Sequence, residues 1–227
     1  MRDSIAERSP LWAKRSFGPV FDYLDMLFID HGIFRVIYFN RHKIGKEAWR
    51  SSQPAPHQIS RLARQGIKTI VNLRGERDCG SFRLQRAACA RHGIALEELV
   101  LKSRAAPIPS QIHEANAIFS RAEHPILVHC KSGADRAGLA SVLYQVLREG
   151  IPVEEAVNQL HSRFGHFRAA DTGILDFFFE QYIAHNRSTP TPFLKWVDTV
   201  YDPEALKRDF KASRWANILV NKVLRRE

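Results

Sequence analysis

The chain has 227 residues, of which 44% are hydrophobic and 26% are charged, and this balance excludes a mainly disordered chain. Lys and Arg number 34 against 24 Asp and Glu, so the formal net charge of +10 favours anionic partners: phosphorylated molecules, nucleic acid or an acidic membrane surface. A chain of this length can bury its own hydrophobic core, as one domain or one domain with appendages.

The most apolar window, residues 20–39, lacks the uncharged length of a membrane-spanning helix. Its interrupting residues are Asp22, Asp25, Asp30, His31 and Arg35. We expect an amphipathic helix that ends near Gly32, followed by a strand at 34–39. Two interpretations of residues 12–39 stay open. The pattern favours a segment packed on the core, and the alternative is a segment on an anionic membrane interface.

From residue 48 onward, predicted strands alternate with predicted helices. The strands are short apolar or β-branched runs: 48–52, 67–73, 94–101 and 125–129. The helices have helical periodicity, in several cases with proline at the start or glycine after the end: 56–64, 81–92, 109–122, 137–148, 153–162 and 173–185. This alternation predicts an α/β fold with a central, mostly parallel sheet flanked by helices.

The turn-rich stretch RSTPTP at 187–192 marks a boundary, after which we expect a short helix at 193–200 and a basic helix from Pro203 to the end. The apolar residues of this region are suited to packing on the domain: Trp196, Leu206, Phe210, Trp215, Ile218, Leu219 and Val223. The sequence therefore predicts three parts. They are an apolar and basic N-terminal extension (1–47), a central domain (48–186) and a basic helical C-terminal extension (187–227).

The three cysteines, Cys79, Cys89 and Cys130, are an odd number with no Cys-x-x-Cys pair, which argues against a disulfide framework and a zinc ribbon. The first 17 residues are charged and lack the apolar core of a secretory signal. We therefore expect a cytoplasmic location. If residues 12–39 lie on an anionic membrane interface, the protein would be bound peripherally to that membrane.

The string PILVHCKSGADRAG, residues 125–138, places Cys130 at the end of a predicted strand, followed by a short loop and a helix. The N–H groups of such a loop and the helix dipole form an anion site. Its positive potential favours the reactive thiolate of a cysteine, and Arg136 has the planar guanidinium that grips two phosphate oxygens. The pattern predicts a phosphate cradle with a nucleophile at its base. The alternative for Cys130 is a buried structural thiol.

HCKSGADRAG resembles the signature loop of the cysteine-dependent phosphatases, in their compact dual-specificity branch. WRSSQP at 49–54 and IKTIVNLRGE at 67–76 extend the resemblance to bacterial members and to fungal and plant inositol-pyrophosphate phosphatases, across residues 48–185. The resemblance implies that Cys130 attacks phosphorus to form a cysteinyl-phosphate, which water hydrolyses. Arg136 and the loop amides would hold the equatorial oxygens, and neither a metal nor an organic cofactor is expected.

Two positions depart from the pattern of that superfamily. The stretch 99–111, where members commonly have an Asp that protonates the leaving group, contains no Asp or Glu, and Ala137 replaces a common Ser or Thr. Asp135 is our candidate proton donor, because the similar myotubularin-type lipid phosphatases use an Asp directly before the arginine. The alternative is a carboxylate that orients Arg136 or caps the helix. Asp78 is a weaker candidate for the acid.

The residues expected to bind the phosphate are Lys131, Ser132, Gly133, Ala134, Asp135 and Arg136. We expect support from His129, through hydrogen bonds of the loop, and from Arg74, which follows a strand end. Lys102 and Arg104 would add positive potential. A second basic cluster is predicted to be solvated surface and not a metal site: His161, Arg163, His166 and Arg168.

Three functions stay open from the sequence. The first is a phosphatase acting on phosphoproteins, with tyrosine or dual specificity. The second is the same chemistry on a phospholipid or inositol phosphate, favoured by the net charge, Lys131 and the missing loop acid. The third is a catalytically weak phosphate-binding module that recognises phosphorylated partners. A sulfurtransferase fits the Gly133 and Arg136 spacing less well, and nucleic-acid binding is not expected because no recognition motif is found.

Overall fold

The structure, a computed structural model, describes residues 21–26 and 39–224, with side chains up to residue 213. The predicted helix end near Gly32 and the predicted strand lie outside the described residues, except for Phe39, which is not in a strand. The two interpretations of that N-terminal segment therefore stay predictions.

In the part of the chain that the structure describes, five strands form one sheet: β1 (His42–Gly45), β2 (Ala48–Ser52), β3 (Thr69–Asn72), β4 (Ala95–Glu98) and β5 (Ile126–Cys130). Their spatial order is β1-β2-β5-β3-β4, with β1 antiparallel to β2 and all other neighbours parallel. The predicted α/β class with a mostly parallel sheet is confirmed. The sequence analysis missed β1, because this short edge strand, HKIG, has no apolar alternation.

Residues 21–24 are α-helical. In the described range 39–224, eight α-helices surround the sheet: α1 (Pro56–Arg64), α2 (Gly80–His92), α3 (Pro109–Arg121), α4 (Asp135–Arg148), α5 (Val153–Ala156), α6 (Ile174–Ser188), α7 (Phe193–Thr199) and α8 (Pro203–Leu224). Proline begins α1 and α3, where its fixed φ suits the first turn. Gly93 ends α2 with a φ of 63°, a conformation that favours glycine. These local signals explain why most predicted boundaries agree with the structure within two residues.

The prediction of one helix over 153–162 is wrong. The α-helix stops at Ala156 and continues as the 3₁₀ turn Val157–Gln159. Leu160 N–H bonds to Val157 O at 2.8 Å, three residues back, and the backbone at Leu160 (φ −98°, ψ 73°) and His161 (φ −133°, ψ 150°) is no longer helical. The same segment packs closely on α4, because a Cβ added at Gly138 would lie 2.8 Å from Leu160 Cδ2.

Hydrophobic side chains fill both faces of the sheet. The larger core lies between the sheet and helices α3, α4, α6 and α7, and the smaller core lies under α1 and α2. Side chains of β5 alternate between them, with Val128 and Cys130 in the larger core and Leu127 in the smaller. This alternation places the Cys130 side chain on the α4 side of the sheet.

Both predicted extensions have parts that contact the central domain. In the C-terminal extension, Trp196 and Leu206 belong to the larger core and Phe210 packs against it, as predicted. The other four predicted contacts lie beyond the described side chains: Trp215, Ile218, Leu219 and Val223. In the N-terminal extension, Asp25 accepts a hydrogen bond of 2.7 Å from the Gly80 N–H at the start of α2. The three-part division itself stays a prediction. None of the helices in the described ranges combines the length and apolar character needed to cross a bilayer.

Candidate active site

Cys130 lies at the carboxyl edge of the parallel strands, the edge where ligands bind in α/β proteins. It is the last residue of β5, and its side chain is buried. Residues 131–134 connect it to α4, whose first two residues are Asp135 and Arg136. We name residues 130–136 the signature loop. The structure therefore brings the predicted nucleophile, loop and arginine together by local chain geometry.

Every backbone carbonyl from 131 to 134 is hydrogen-bonded to a donor outside the signature loop. The bonds are Gln53 N–H to Lys131 O (3.4 Å), Asn40 Nδ2 to Ser132 O (2.9 Å), and Arg50 Nη2 to Gly133 O (2.8 Å) and Ala134 O (2.7 Å). In a trans peptide unit the C=O and the following N–H point in opposite directions. The N–H groups of residues 132–135 therefore point away from these donors.

The amide groups of this loop are available to an anion. The N–H groups of Ser132 and Gly133 have no acceptor among the residues that the structure describes, and Ala134 N–H has only Ser132 Oγ at 3.4 Å. Successive N–H groups beside a helix N-terminus form a concave anion site. The N–H groups of residues 132–134 are therefore arranged as hydrogen-bond donors to a bound phosphate would be.

Gly133 is the position in the loop where a side chain would not fit. Its φ is 77°, and a Cβ there would lie 2.6 Å from Ser52 N and 2.7 Å from the Ser51 carbonyl carbon. Both are backbone atoms of β2, which cannot move without disturbing the sheet. Glycine therefore allows the loop to turn tightly against the end of β2.

Arg50 is a site residue that the sequence analysis missed. Its side chain is 0% exposed, and its guanidinium lies 4.3 Å from the centre of the Phe164 ring. Burial lowers the pKa of Arg50 to about 10, while the negative charges of Cys130 and Asp135 act in the opposite direction. Arg50 thus stays protonated at neutral pH. The signal in the sequence was an arginine in the middle of the short predicted strand 48–52.

A buried chain of hydrogen bonds connects the two predicted supporting residues, His129 and Arg74. Gln85 Nε2 donates to His129 Nε2 at 2.5 Å, so the other ring nitrogen carries the proton and faces Cys130 O at 3.4 Å. Gln53 Nε2 donates to Gln85 Oε1 at 3.1 Å, and Arg74 donates to Gln53 Oε1. His129 therefore contacts the backbone of the nucleophile, while Arg74 acts at a distance through two glutamines.

His166 corrects the prediction of a solvated basic cluster. His161, Arg163 and Arg168 are exposed, but the His166 side chain is only 1% exposed. Its Nδ1 lies 2.8 Å from Asp135 Oδ1, and its Nε2 lies 2.7 Å from Asp176 Oδ2. Burial lowers the pKa of His166, but the hydrogen bonds to the two carboxylates outweigh it and raise the pKa to about 9. His166 is therefore an imidazolium with both nitrogens donating.

The contacts of Asp135 and Arg136 differ. The second carboxylate oxygen of Asp135, Oδ2, has no hydrogen-bond partner among the described residues. No ion pair joins Asp135 to Arg136 within the described ranges, and the half-buried Arg136 makes no hydrogen bond or ion pair there. The Arg136 guanidinium is therefore available to an anion, and orientation of Arg136 by a direct Asp135 contact is not seen.

The remaining candidates lie outside the signature loop. The side chain of Asp78 is almost fully exposed and pairs with Arg83. Lys102 and Arg104 line a cavity between the β4–α3 connection and the start of α8, together with Lys207. No group of three metal-ligating side chains close enough to hold a metal is found in the described part of the chain.

Comparison with known proteins identifies the family of the chain and supports membership of the cysteine-dependent phosphatase superfamily. A family model described as "DSP-PTPase phosphatase fused to NAD+ Kinase" matches residues 40–174, which is more than half of the chain. The chain belongs to this family.

The individual proteins that the chain resembles share only a low sequence identity with it. The dual specificity protein phosphatase TpbA of Pseudomonas aeruginosa PAO1 is 23% identical over 167 residues, covering 72% of this chain and 64% of TpbA. The chain thus spans less than two thirds of the length of that curated relative.

Two solved structures support the fold assignment. The core catalytic domain of the PP-IP phosphatase SIW14 from S. cerevisiae matches with a TM-score of 0.51 and 21% identity, covering 66% of this chain and 94% of that one. A putative phosphatase from Shewanella putrefaciens CN-32 matches with a TM-score of 0.50 and 15% identity, covering 66% and 95%.

Proposed function

We propose that the chain is a phosphatase that hydrolyses phosphate esters through a cysteinyl-phosphate on Cys130. The observation that carries the proposal is the signature loop, whose carbonyls are bonded to donors outside the loop while its N–H groups point the other way. Arg136 has no competing partner in the described structure, so both recognition elements are available to phosphate. Membership of a phosphatase family supports the same conclusion.

The reaction has two steps. In the first, the Cys130 thiolate attacks phosphorus in line, a P–S bond forms, and the bond from phosphorus to the leaving oxygen breaks. The loop amides and Arg136 bind the equatorial oxygens, whose charge they stabilise in the transition state. In the second, water attacks phosphorus, the P–S bond breaks, and inorganic phosphate leaves with the thiolate restored. The phosphate-binding residues of the proposal are Lys131, Ser132, Gly133, Ala134, Asp135 and Arg136.

Asp135 is the proposed donor of the proton to the leaving oxygen. Its Oδ1 accepts the hydrogen bond from His166, and Oδ2 has no partner among the described residues. In the reacting form the Asp135 carboxyl is protonated on Oδ2, so the proton faces the leaving group while Oδ1 keeps its bond to His166. We expect Asp135→Asn to lower kcat about a hundredfold on alkyl phosphates, the usual loss for a general acid. On p-nitrophenyl phosphate the loss should be small, because p-nitrophenolate leaves without protonation. The measurement is initial rates on both substrates.

Asp176→Asn is the matched control for this experiment, because it removes the other carboxylate beside His166 and keeps Asp135. We expect it to leave the ratio of the two rates unchanged. An equal loss on both substrates with Asp135→Asn would exclude proton donation and assign Asp135 a positioning role through His166.

The charge of the chain supports a polyanionic substrate, and we infer an inositol phosphate or the headgroup of a phospholipid. The net charge is +10. Lys131 belongs to the signature loop, and Lys102 and Arg104 line one cavity, where Lys207 is paired with Glu204. Lys102 and Arg104 have no ion-pair partner among the described residues. The fold is shared with a PP-IP phosphatase. Peripheral contact with an anionic membrane is part of this proposal only for a lipid substrate.

A substrate panel tests this inference. It contains an aryl phosphate, phosphotyrosyl peptides, phosphatidylglycerophosphate, phosphoinositides and inositol polyphosphates. One additional charge-assisted contact changes affinity by about tenfold, so we expect kcat/KM for the best polyanion to exceed that for the best peptide by at least about tenfold. A preference for phosphotyrosyl peptides would instead assign a phosphoprotein substrate. No release from any substrate by folded protein would favour the phosphate-binding module, an alternative that Ala137 and the missing loop acid leave open.

A further inference from the structure

Arg50 is an unusual residue to find fully buried. Its side chain is 0% exposed, yet it forms no ion pair with any residue in the described ranges. Burying a charged group costs free energy unless hydrogen bonds compensate. Here the compensation comes from oxygen atoms of the chain, namely the carbonyls of Gly133, Ala134 and Gln159 and the side-chain oxygen of Gln159.

The contacts of Arg50 with the signature loop determine the orientation of two consecutive peptide planes. A single nitrogen, Nη2, donates to Gly133 O at 2.8 Å and to Ala134 O at 2.7 Å. Both carbonyls must therefore face Arg50, and the N–H groups of Ala134 and Asp135 must face the opposite way. The Ala134 carbonyl also accepts a hydrogen bond of 2.8 Å from the Gly138 N–H of α4, whereas Arg50 is the one donor to the Gly133 carbonyl among the described residues. Without Arg50, the Gly133 carbonyl oxygen would be free to turn toward the phosphate site, where it would repel an oxyanion.

Arg50 is itself held in place from two further sides. Its Nη1 donates to Gln159 O at 2.6 Å, and the Phe164 ring covers the guanidinium at 4.3 Å. The backbone of Arg50 is paired in the sheet opposite Val128 of β5, two residues before Cys130. The planar fork of arginine suits this arrangement, because it donates in several fixed directions at once, and a lysine ammonium does not.

We propose that Arg50 is a positioning residue that holds the carbonyls of the signature loop away from the phosphate site and so presents the loop amides to the substrate. This inference rests on one part of the proposed function, namely that the signature loop binds phosphate. It does not depend on the reactivity of Cys130. Asn40 performs the same task at Ser132, whose carbonyl accepts a hydrogen bond of 2.9 Å from its Nδ2.

The test measures oxyanion affinity, which does not require turnover and does not change with the fraction of folded protein. The probe is tungstate, a tetrahedral dianion, titrated into the full chain by calorimetry. We expect Arg50→Lys to raise the Kd of tungstate by about tenfold, since it removes the charged, directed donor that orients the peptide group between Gly133 and Ala134. Arg61→Lys, on the exposed side of α1, is the matched control and should leave the Kd unchanged.

A milder variant keeps the inference testable if Arg50→Lys does not fold. Asn40 has a φ of 45°, which glycine adopts without strain, so Asn40→Gly keeps the backbone conformation and removes the donor to Ser132 O. It also removes the contacts of the Asn40 side chain with Phe164 O and His42 Nε2, which lie outside the signature loop. We expect its Kd for tungstate to rise about threefold, the effect of one neutral hydrogen bond. A Kd within experimental error of the wild type in folded Arg50→Lys, or in Asn40→Gly when the first variant is unfolded, would overturn the proposal. Failure of the wild type itself to bind tungstate would instead contradict the proposed function.

Discussion

Cys130→Ser is expected to reduce phosphate release by at least about a thousandfold. A serine hydroxyl is scarcely ionised near neutral pH, so the nucleophile of the first step is lost. The loop carbonyls keep their donors, because none of those hydrogen bonds involves the Cys130 side chain. The variant should therefore still bind tungstate, and this combination separates loss of chemistry from loss of the site.

The other two cysteines provide the matched controls. Cys89 lies on the opposite side of the sheet, and burial, with a smaller contribution from Glu98, raises the pKa of its thiol to about 12. It is therefore a neutral thiol with no role in the first step. Cys89→Ser and Cys79→Ser should keep the wild-type kcat. The wild type, quenched in acid during turnover, should carry one phosphoryl group on the peptide that contains Cys130. A Cys130→Ser variant that retained a tenth of the wild-type rate would contradict the mechanism.

The free energy of unfolding is expected to fall as the pH rises through the pKa of His166. This pKa is raised from its ordinary value of 6.5 to about 9 in the folded chain, so the folded state binds the proton more tightly than the unfolded state. The resulting stabilisation is complete below about pH 6.5 and declines by about 1.4 kcal/mol for each pH unit above it. It is lost once the pH has passed about 9. The total contribution is on the order of 3 kcal/mol.

Urea unfolding of the wild type and His166→Gln at about pH 6 and about pH 10 measures this contribution. The comparison matters because Glu98, whose pKa burial raises to about 7, also changes stability with pH. That effect is common to both proteins and cancels in the difference. The wild type should be the more stable protein at the lower pH, and the gap should nearly close at the higher pH. An equal gap at both pH values would show that the charge of His166 does not stabilise the fold.

Much of the fold could be predicted because its signals are local. Proline at the starts of α1 and α3, Gly93 after α2 and the β-branched run around β3 each act within a few residues. The predicted helix over 153–162 was wrong because this segment is shaped by contacts with residues distant in the sequence: Leu160 packs against Gly138, and Arg50 donates a hydrogen bond to Gln159 O. The edge strand β1 was missed because its pairing with β2, and not its own sequence, determines its conformation.

In the candidate site, too, some features follow from local sequence and others from contacts between distant residues. Cys130, the loop and Arg136 are contiguous, so the sequence alone determined that a strand, a tight glycine turn and a helix would place a thiol and a guanidinium together. Only the tertiary structure decided which groups support them. Arg50 is 83 residues from Gly133, Asn40 is 92 residues from Ser132, and His166 is 31 residues from Asp135. Such pairs meet because the order of the strands and the packing of α4 bring them together, and a pattern within a few residues contains no information about contacts over that distance.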